Sequence, residues 1–572
     1  MLWYGGDYNP EQWPEHIWAD DIVLMRRAQV NLVTVGVFAW SRLQPEPDRF
    51  DFGWLDRILD KLHTGRIGVA LATPTASPPP WFTARHPGAM PVGRDGVRLA
   101  HGSRDTYCVN APEFRRASLV ITDELSRRYA EHPALKLWHV HNEYGTWCFC
   151  DHCAVEFRGF LRARYGFIAQ LNDAWCTDFW SQRYADFDEI LPPRATQYLT
   201  NPAHELDYRR FLSEAMLAHY SEARDLIRTR SQAPVTTNFV LGDWVPVDHA
   251  RWAHEVDLVA IDHYPSSIAT ATAERAFAAD LARGWARSAG HPHGRWLLME
   301  HAPGAVHADG VVRSTGPGAI ADAARTYLDR GAVGTMYFQW RASRGGAEQW
   351  HPAMVPHAGA ESRVYEEIVA LGAELAERLP NKIIADVAVL HDEETMWAWQ
   401  APHLLSRHVD YPDLVGQTHR ALAATADAVD VLPVGASLAG YRLVCCPAMY
   451  VMSSVTLAAL HDYAESGGTV LMTFGSGLVD ETLRVTPGSV EELTGVRIAE
   501  WSPLLPGEEV ALADGGTGTI WLDEIEPRDA ETVLTTADGR PVLTRNAIGA
   551  GAVYYLATRL ADEAHTALIA KL

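Results

Sequence analysis

Residues 138–145 read WHVHNEYG, and the fold turns on what that stretch is. From Leu135 to Asn142 the side chains are mainly apolar or aromatic, which reads as a buried strand. The run then stops at Glu143. A carboxylate in that position is costly to desolvate unless it has partners or a task. A second run ends in the same way: RWLLMEH, residues 295–301, carries Glu300 at its close.

Outward from these two runs, further β-rich stretches alternate with amphipathic helices. The pattern predicts strands at Trp3–Gly5, Asn31–Phe38, Gly68–Thr73, Leu135–Asn142, Pro234–Val240, Val256–Tyr264, Arg295–Glu300 and Val333–Trp340. Pro14 opens a helix with Trp18, Ile22 and Met25 on one face, and another follows Pro112 with Phe114, Ala117, Ile121 and Leu125 at helical spacing. Such an alternation predicts an α/β fold, a (β/α)8 TIM barrel over residues 1–375 with long loops. A doubly wound sheet is the alternative, but no glycine-rich phosphate loop follows the first strand. Past Arg378-Leu-Pro-Asn381 the pattern restarts, with strands at Val387–Leu390, Val429–Val434, Tyr441–Cys446 and Thr469–Phe474 and a helix at Val455–Glu465. Residues 382–572 therefore read as a smaller α/β domain of the glutamine-amidotransferase type, turning mostly β toward the end.

The 572 residues exceed one ordinary core, which agrees with two domains. A net charge of −23 argues against nucleic acid or an anionic membrane as partner. The start, MLWYGGDYNPEQWPE, has neither a basic region nor an apolar core of a signal peptide, and no run reaches the roughly 18 apolar residues that span a bilayer. The expectation is a cytoplasmic protein.

In barrels of this kind chemistry sits at the carboxyl ends of the strands. Glu143 closes the fourth and Glu300 the seventh, across the mouth from each other. Two acids flanking a sugar-sized cleft are what glycoside hydrolysis requires, one to protonate the leaving oxygen and the other, ionised, to attack the anomeric carbon. Asn142, beside the acid, can hold a sugar hydroxyl.

Cys148, Cys150 and Cys153 form C-x-C-x-x-C just past Glu143, and Cys108 follows the neighbouring strand. Four thiolates suit a closed tetrahedral zinc site that leaves no position for water, a structural tie between loops. Cys445-Cys446 lies in VCCPAM, without the glycine-flanked elbow of a nucleophile, and reads as buried strand. His291, His293, His301 and His307 are too irregularly spaced for a metal site, and Cys176 reads as unliganded.

Taken together, GDYNPEQWPE, FAWSRLQPE, TASPPPWF, GSRDTYC, NEYG, DFWSQRY, ME at 299–300, YFQWRASRGGAE and HPAMVPHAG resemble the family-42 β-galactosidases, in order from residue 4 to about 360. The resemblance implies a retaining glycosidase with acid/base Glu143 and nucleophile Glu300. It implies sugar contacts at Arg104, Asn142, Tyr264, Glu348 and His351, with Trp180 lining the subsite. It also implies the zinc cluster at Cys108, Cys148, Cys150 and Cys153, and a homotrimer whose second domain meets the neighbouring barrel. Ala308 stands where the family carries a Trp, with His307 before it, and Gln44 replaces a common acid. The altered wall could favour β-D-galactosides, α-L-arabinopyranosides or β-D-fucosides; the expectation is a retaining exo-β-galactosidase acting on small soluble galactosides, with the other two rings as alternatives. Family members often continue into a small β-sandwich, for which the residues up to Leu572 leave little chain. The rival readings are a sugar-binding protein without catalysis and an amidotransferase-like activity in the second domain.

Overall fold

The computed structural model describes residues 2–308, 310–402 and 404–572, which fall into two compact units. One comprises Met1–Phe157 with Arg210–Lys382, the other Arg158–Arg209 with Ile383–Leu572. The segment Arg158–Arg209, inside the barrel span on a linear reading, thus clusters with the second unit.

The first unit is built on a parallel sheet with strands β1 (Trp3–Tyr8), β2 (Leu32–Val35), β3 (Gly68–Thr73), β4 (Leu135–Val140), β5 in two pieces (Val235–Thr236 and Asn238–Val240), β6 (Val259–Asp262), β7 (Trp296–Glu300) and β8 (Ala332–Tyr337). β1 pairs with both β2 and β8, and the two pieces of β5 pair with β4 and β6 respectively. The sheet therefore closes on itself, through a strand interrupted at Thr237, into the expected barrel. Its interior is filled by Leu32, Ala70, Leu137, Ala260, Leu297, Met299 and Met336, contributed by six of the strands.

Two local features position the mouth. Gly5 and Gly6 let β1 press against both neighbours: a Cβ on Gly5 would lie 1.7 Å from the Leu32 carbonyl oxygen, and one on Gly6 2.3 Å from that of Tyr337. Asp7 follows immediately. The helix Glu15–Arg27 buries Trp18 and Met25 as expected, but Asp21 rather than Ile22 shares that face. Asp21 accepts from Tyr8 Oη (3.2 Å), Trp340 Nε1 (3.1 Å) and Arg341 Nε (2.8 Å), latching β1 to the chain after β8.

The second unit carries a seven-stranded sheet of β9 (Val387–His391), β10 (Val429–Pro433), β11 (Leu443–Cys446), β12 (Thr469–Thr473), β13 (Glu531–Thr535), β14 (Pro541–Ile548) and β15 (Gly551–Leu556). The order is β10-β9-β11-β12-β15-β14-β13, parallel through β15 and antiparallel beyond it. Cys445 and Cys446 are buried in β11; burial pushes the Cys446 thiol up to about 12 and that of Cys445 well above its usual range. Neither is an activated nucleophile. Among the described residues, no helix is long and apolar enough to cross a membrane.

Candidate active site

The acid at the end of β4 is presented by a tight left-handed turn. His141 and Glu143 both have positive φ (65° and 43°), a conformation that costs free energy unless the surroundings enforce it. Here they do. The His141 N–H donates to Thr73 Oγ1 (2.8 Å), and its ring lies 2.9 Å from Thr75 Oγ1 through Nδ1 and 2.6 Å from Tyr107 Oη through Nε2. The same ring stacks on Tyr144, centroids 4.2 Å apart.

Glu143 and Glu300 meet across the mouth. One carboxylate oxygen each from Glu143, Glu300 and Asp262 lie within 4.8 Å of one another. Arg104 Nη2 donates to Glu143 Oε2 (2.6 Å), Asn142 Nδ2 lies 3.4 Å from the same oxygen, and Tyr264 Oη donates to Glu300 Oε2 (2.8 Å). Of the sugar contacts implied by resemblance, Arg104, Asn142 and Tyr264 are thus in direct contact with the pair. His351 joins the same wall through Tyr264, 5.5 Å away edge-on, and Phe338, 4.7 Å away. Burial holds its imidazole down to about 4, which leaves it neutral. Glu348 is exposed at the rim, in the turn where its carbonyl accepts from the His351 N–H (2.9 Å). Trp180 belongs to the second unit, where its ring is 58 % exposed and 4.9 Å from Phe179.

At the two departures from the family pattern, the His307 ring packs 4.8 Å from His351, and Gln44 is buried and satisfied, accepting from Trp40 Nε1 (2.9 Å) and donating to the Pro47 carbonyl (2.8 Å).

Three further residues complete the site, and sequence reasoning missed them. Asn238, where β5 resumes, accepts through Oδ1 from the Glu143 N–H (2.8 Å) and from His139 Nε2 (2.9 Å). Its amide nitrogen has two hydrogens for three acceptors: Asn142 Oδ1 (2.9 Å), Asp262 Oδ2, and Glu300 Oε1 (3.3 Å). Asp262 closes β6 as Glu143 and Glu300 close their strands, so the same criterion applied to IDHYP would have found it. Asp7, at the end of β1 next to the paired glycines, gave only the signal of an acid after an apolar start.

So many acids in one dry pocket cannot all be charged. Burial, then Asp7 and Glu143, push the Glu300 carboxyl well above its usual range, while Tyr264 and Arg104 pull it back. Burial, then Glu300, Glu143 and Asp7, do the same to Asp262. Burial and the nearby Glu143 and Glu348 raise Asp7 to about 8. Asp7 therefore keeps its proton at neutral pH, and Glu300 and Asp262 hold theirs more tightly than exposed acids do.

The four cysteines come together in the same unit. Cys108 Sγ lies 3.4 Å from Cys150 Sγ and 3.5 Å from Cys153 Sγ, Cys150 and Cys153 are 3.8 Å apart, and all four sulfurs including Cys148 lie within 4.8 Å. None forms a disulfide. The Val92 N–H points at Cys148 Sγ (3.5 Å) and Asn110 Nδ2 at Cys153 Sγ (3.4 Å). Four sulfurs about 2.3 Å from a tetrahedral zinc sit about 3.8 Å from one another, so this buried set fits such an ion. The four histidines do not converge: His301 bonds Thr335 Oγ1 (2.9 Å), and His291 the Ala253 carbonyl (3.0 Å).

A closed parallel barrel that sets two glutamates against each other at the ends of its fourth and seventh strands is the frame of a glycoside hydrolase. The chain belongs to the family-42 β-galactosidases: residues 7–378 match the β-galactosidase family itself, and residues 385–572 match the β-galactosidase trimerisation domain. It is 40 % identical to a β-galactosidase of an Arthrobacter species, over 97 % of this chain and 82 % of that protein. It is 38 % identical to one from Heyndrickxia coagulans, over 98 % and 86 %. The crystal structure of a β-galactosidase from Bacillus circulans sp. alkalophilus superposes with a TM-score of 0.95 at 34 % identity, covering all of this chain and 88 % of that one.

The acid cluster carries a consequence for stability. In the fold Asp7 keeps its proton up to about 8, whereas an exposed aspartate releases it near about 4. The native state binds more protons between those values, so this group's contribution to stability falls as pH rises through the window. Asp7→Asn keeps the neutral shape and removes that fall. The gain in urea midpoint over the wild type is expected to grow between about pH 5 and about pH 8; a difference that stays level across that range would contradict it.

Proposed function

We propose that the protein is a retaining exo-β-galactosidase acting on small soluble galactosides by double displacement. The observation that carries this reading is the approach of Glu143 and Glu300, oxygen to oxygen, within 4.8 Å. Retaining enzymes place the two carboxyls about 5–5.5 Å apart, whereas inverting ones need about 6.5–9.5 Å to admit a water. The close approach favours retention.

In the first step a Glu300 oxygen bonds to the anomeric carbon, the glycosidic C–O bond breaks, and the leaving oxygen takes the Glu143 proton. In the second, Glu143 takes a proton from water, whose oxygen bonds to the same carbon and releases Glu300. Tyr264 supports Glu300 as a carboxylate by donating to it. Asp262 and Asp7 carry protons of the cluster, which spares the nucleophile a neighbouring charge. Glu143 is paired with Arg104 in this structure. When sugar hydroxyls take over the Arg104 donors, Glu143 loses its counter-charge, takes up a proton and faces the glycosidic oxygen, so ring binding and proton delivery are linked. Glu348 and the neutral His351 supply further contacts at the rim.

Galactosides are the favoured ring over α-L-arabinopyranosides and β-D-fucosides, because every relative named above is a β-galactosidase. Glu300→Gly is expected to lose activity on a nitrophenyl β-galactoside by at least about a thousandfold. Added azide should restore turnover with the α-galactosyl azide as product. Failure of rescue would move the nucleophile elsewhere, and a higher kcat/KM on the α-L-arabinopyranoside would overturn the choice of ring.

The cysteine quartet holds a structural zinc, four thiolates closing the shell and Val92 and Asn110 donating to the sulfurs. The metal fixes loop geometry and takes no part in bond breaking. Protein purified without chelator is expected to contain about one zinc per chain, and Cys150→Ser to lose it with a lower melting temperature. Less than about 0.2 zinc per chain would remove the assignment. Cysteines kept out of disulfides and available as zinc thiolates fit a reducing compartment, the cytoplasm. The match to the trimerisation domain supports a homotrimer, for which light scattering should return three times the chain mass.

A further inference from the structure

A cavity of about 590 Å³ opens beside Glu143. Its wall includes Glu143 and Arg104, but Glu300, Tyr264 and His351 are not among its lining residues. The volume therefore lies on the flank of the acid and away from the nucleophile. In double displacement that is where the departing group sits, because its oxygen must meet the proton donor.

The cavity is walled by two indoles, Trp147 and Trp244, with Leu99 on its apolar lining. Trp244 is 55 % exposed, yet it is held close to the chain. A Cβ on Gly145 would touch its ring at 3.4 Å, and one on Gly242 would meet its Nε1 at 2.5 Å. The absence of side chains at 145 and 242 is what lets this indole lie against the backbone two residues beyond Glu143. Trp147 Nε1 donates to the Trp244 carbonyl (3.0 Å), and the Trp147 ring runs parallel to Phe149, 6.0 Å away. Two fixed indoles facing an open cavity of ligand size are an aromatic platform without an occupant of its own.

We infer that Trp147 and Trp244 form the subsite for the leaving sugar, taking the apolar C–H face of a pyranose ring joined through the glycosidic oxygen. This rests on the galactosidase reading and adds to it a determinant of leaving-group preference. The platform binds the departing sugar and leaves the acid and the nucleophile untouched. Substrates with a sugar leaving group use it; a substrate whose leaving group is a single atom does not.

The test compares the zinc-containing enzyme with Trp244→Ala and Trp147→Ala on two substrates, a β-(1→4)-linked galactosyl-glucose disaccharide and β-D-galactosyl fluoride. Each variant is expected to lose about tenfold or more in kcat/KM on the disaccharide, chiefly through KM, and to stay within about twofold on the fluoride. Trp244→Phe should recover part of the loss. Equal losses on both substrates would mean that the indoles only support the fold, and no loss on either would mean that the leaving sugar sits elsewhere; both results overturn the subsite. A wild-type enzyme inert toward the fluoride would instead overturn the galactosidase reading, and the subsite with it.

Discussion

One side-chain amide holds the mouth of this barrel together. Asn238 touches the backbone of Glu143, the amide of Asn142 beside it, the carboxyl of Asp262 that closes β6 and the carboxyl of Glu300. Each of these groups is nearly dry, and a buried donor or acceptor left without a partner costs about 1–3 kcal/mol. The geometry of Asn238 follows from closure. Its strand is the one broken at Thr237, with the first piece paired to β4 and the second to β6. A break at that point lets one residue face the ends of strands that an unbroken register would hold apart. Because Oδ1 can only accept, His139 must donate from Nε2, which fixes its tautomer. Burial keeps that imidazole neutral by lowering it to about 4.

A second constraint works from behind. The turn that presents Glu143 is held by polar contacts to Thr73, Thr75 and Tyr107 and by a packed set of rings reaching His219, whose Nδ1 lies 2.7 Å from Tyr144 Oη. None of these groups lines the cavity beside Glu143. They set where the carboxylate can be, and a left-handed backbone at two non-glycine residues persists because the rings around it leave no other packing. Position is thus determined in the core and used at the surface.

This division explains what the sequence disclosed. Strand-length apolar runs ending in an acid are visible in one dimension, so the barrel, Glu143 and Glu300 were legible, as were the cysteines through their spacing. Asn238 was not, because its meaning lies in partners 24 to 99 residues away that only closure assembles. Asp262 is legible by the same rule, since it closes an apolar strand as the two glutamates do. The segment Arg158–Arg209 carries no compositional mark of the unit it joins, and neither does Trp180 within it, because unit membership is decided by tertiary packing.

The cysteine cluster gains a purpose from its neighbours. Cys148 directly follows Trp147, and the chain from Glu143 to Cys153 contains the acid, a cavity-wall indole and three of the four sulfurs. The irregular part of that segment, up to the helix that begins at Asp151, pays conformational entropy to stay in place, about 1–2 kcal/mol for each residue ordered. Hydrogen bonds at the surface return only part of that sum, because water competes for them. The proposed zinc would tie three positions of the segment to Cys108 and remove most of its alternatives at once, as any crosslink that closes a loop does. The ordering then reaches Glu143 from the far side of the turn, while His141 holds it from the near side. With zinc bound as proposed, Glu143 is clamped between a packed core and a crosslinked loop, and no cysteine of that crosslink lines the cavity beside it.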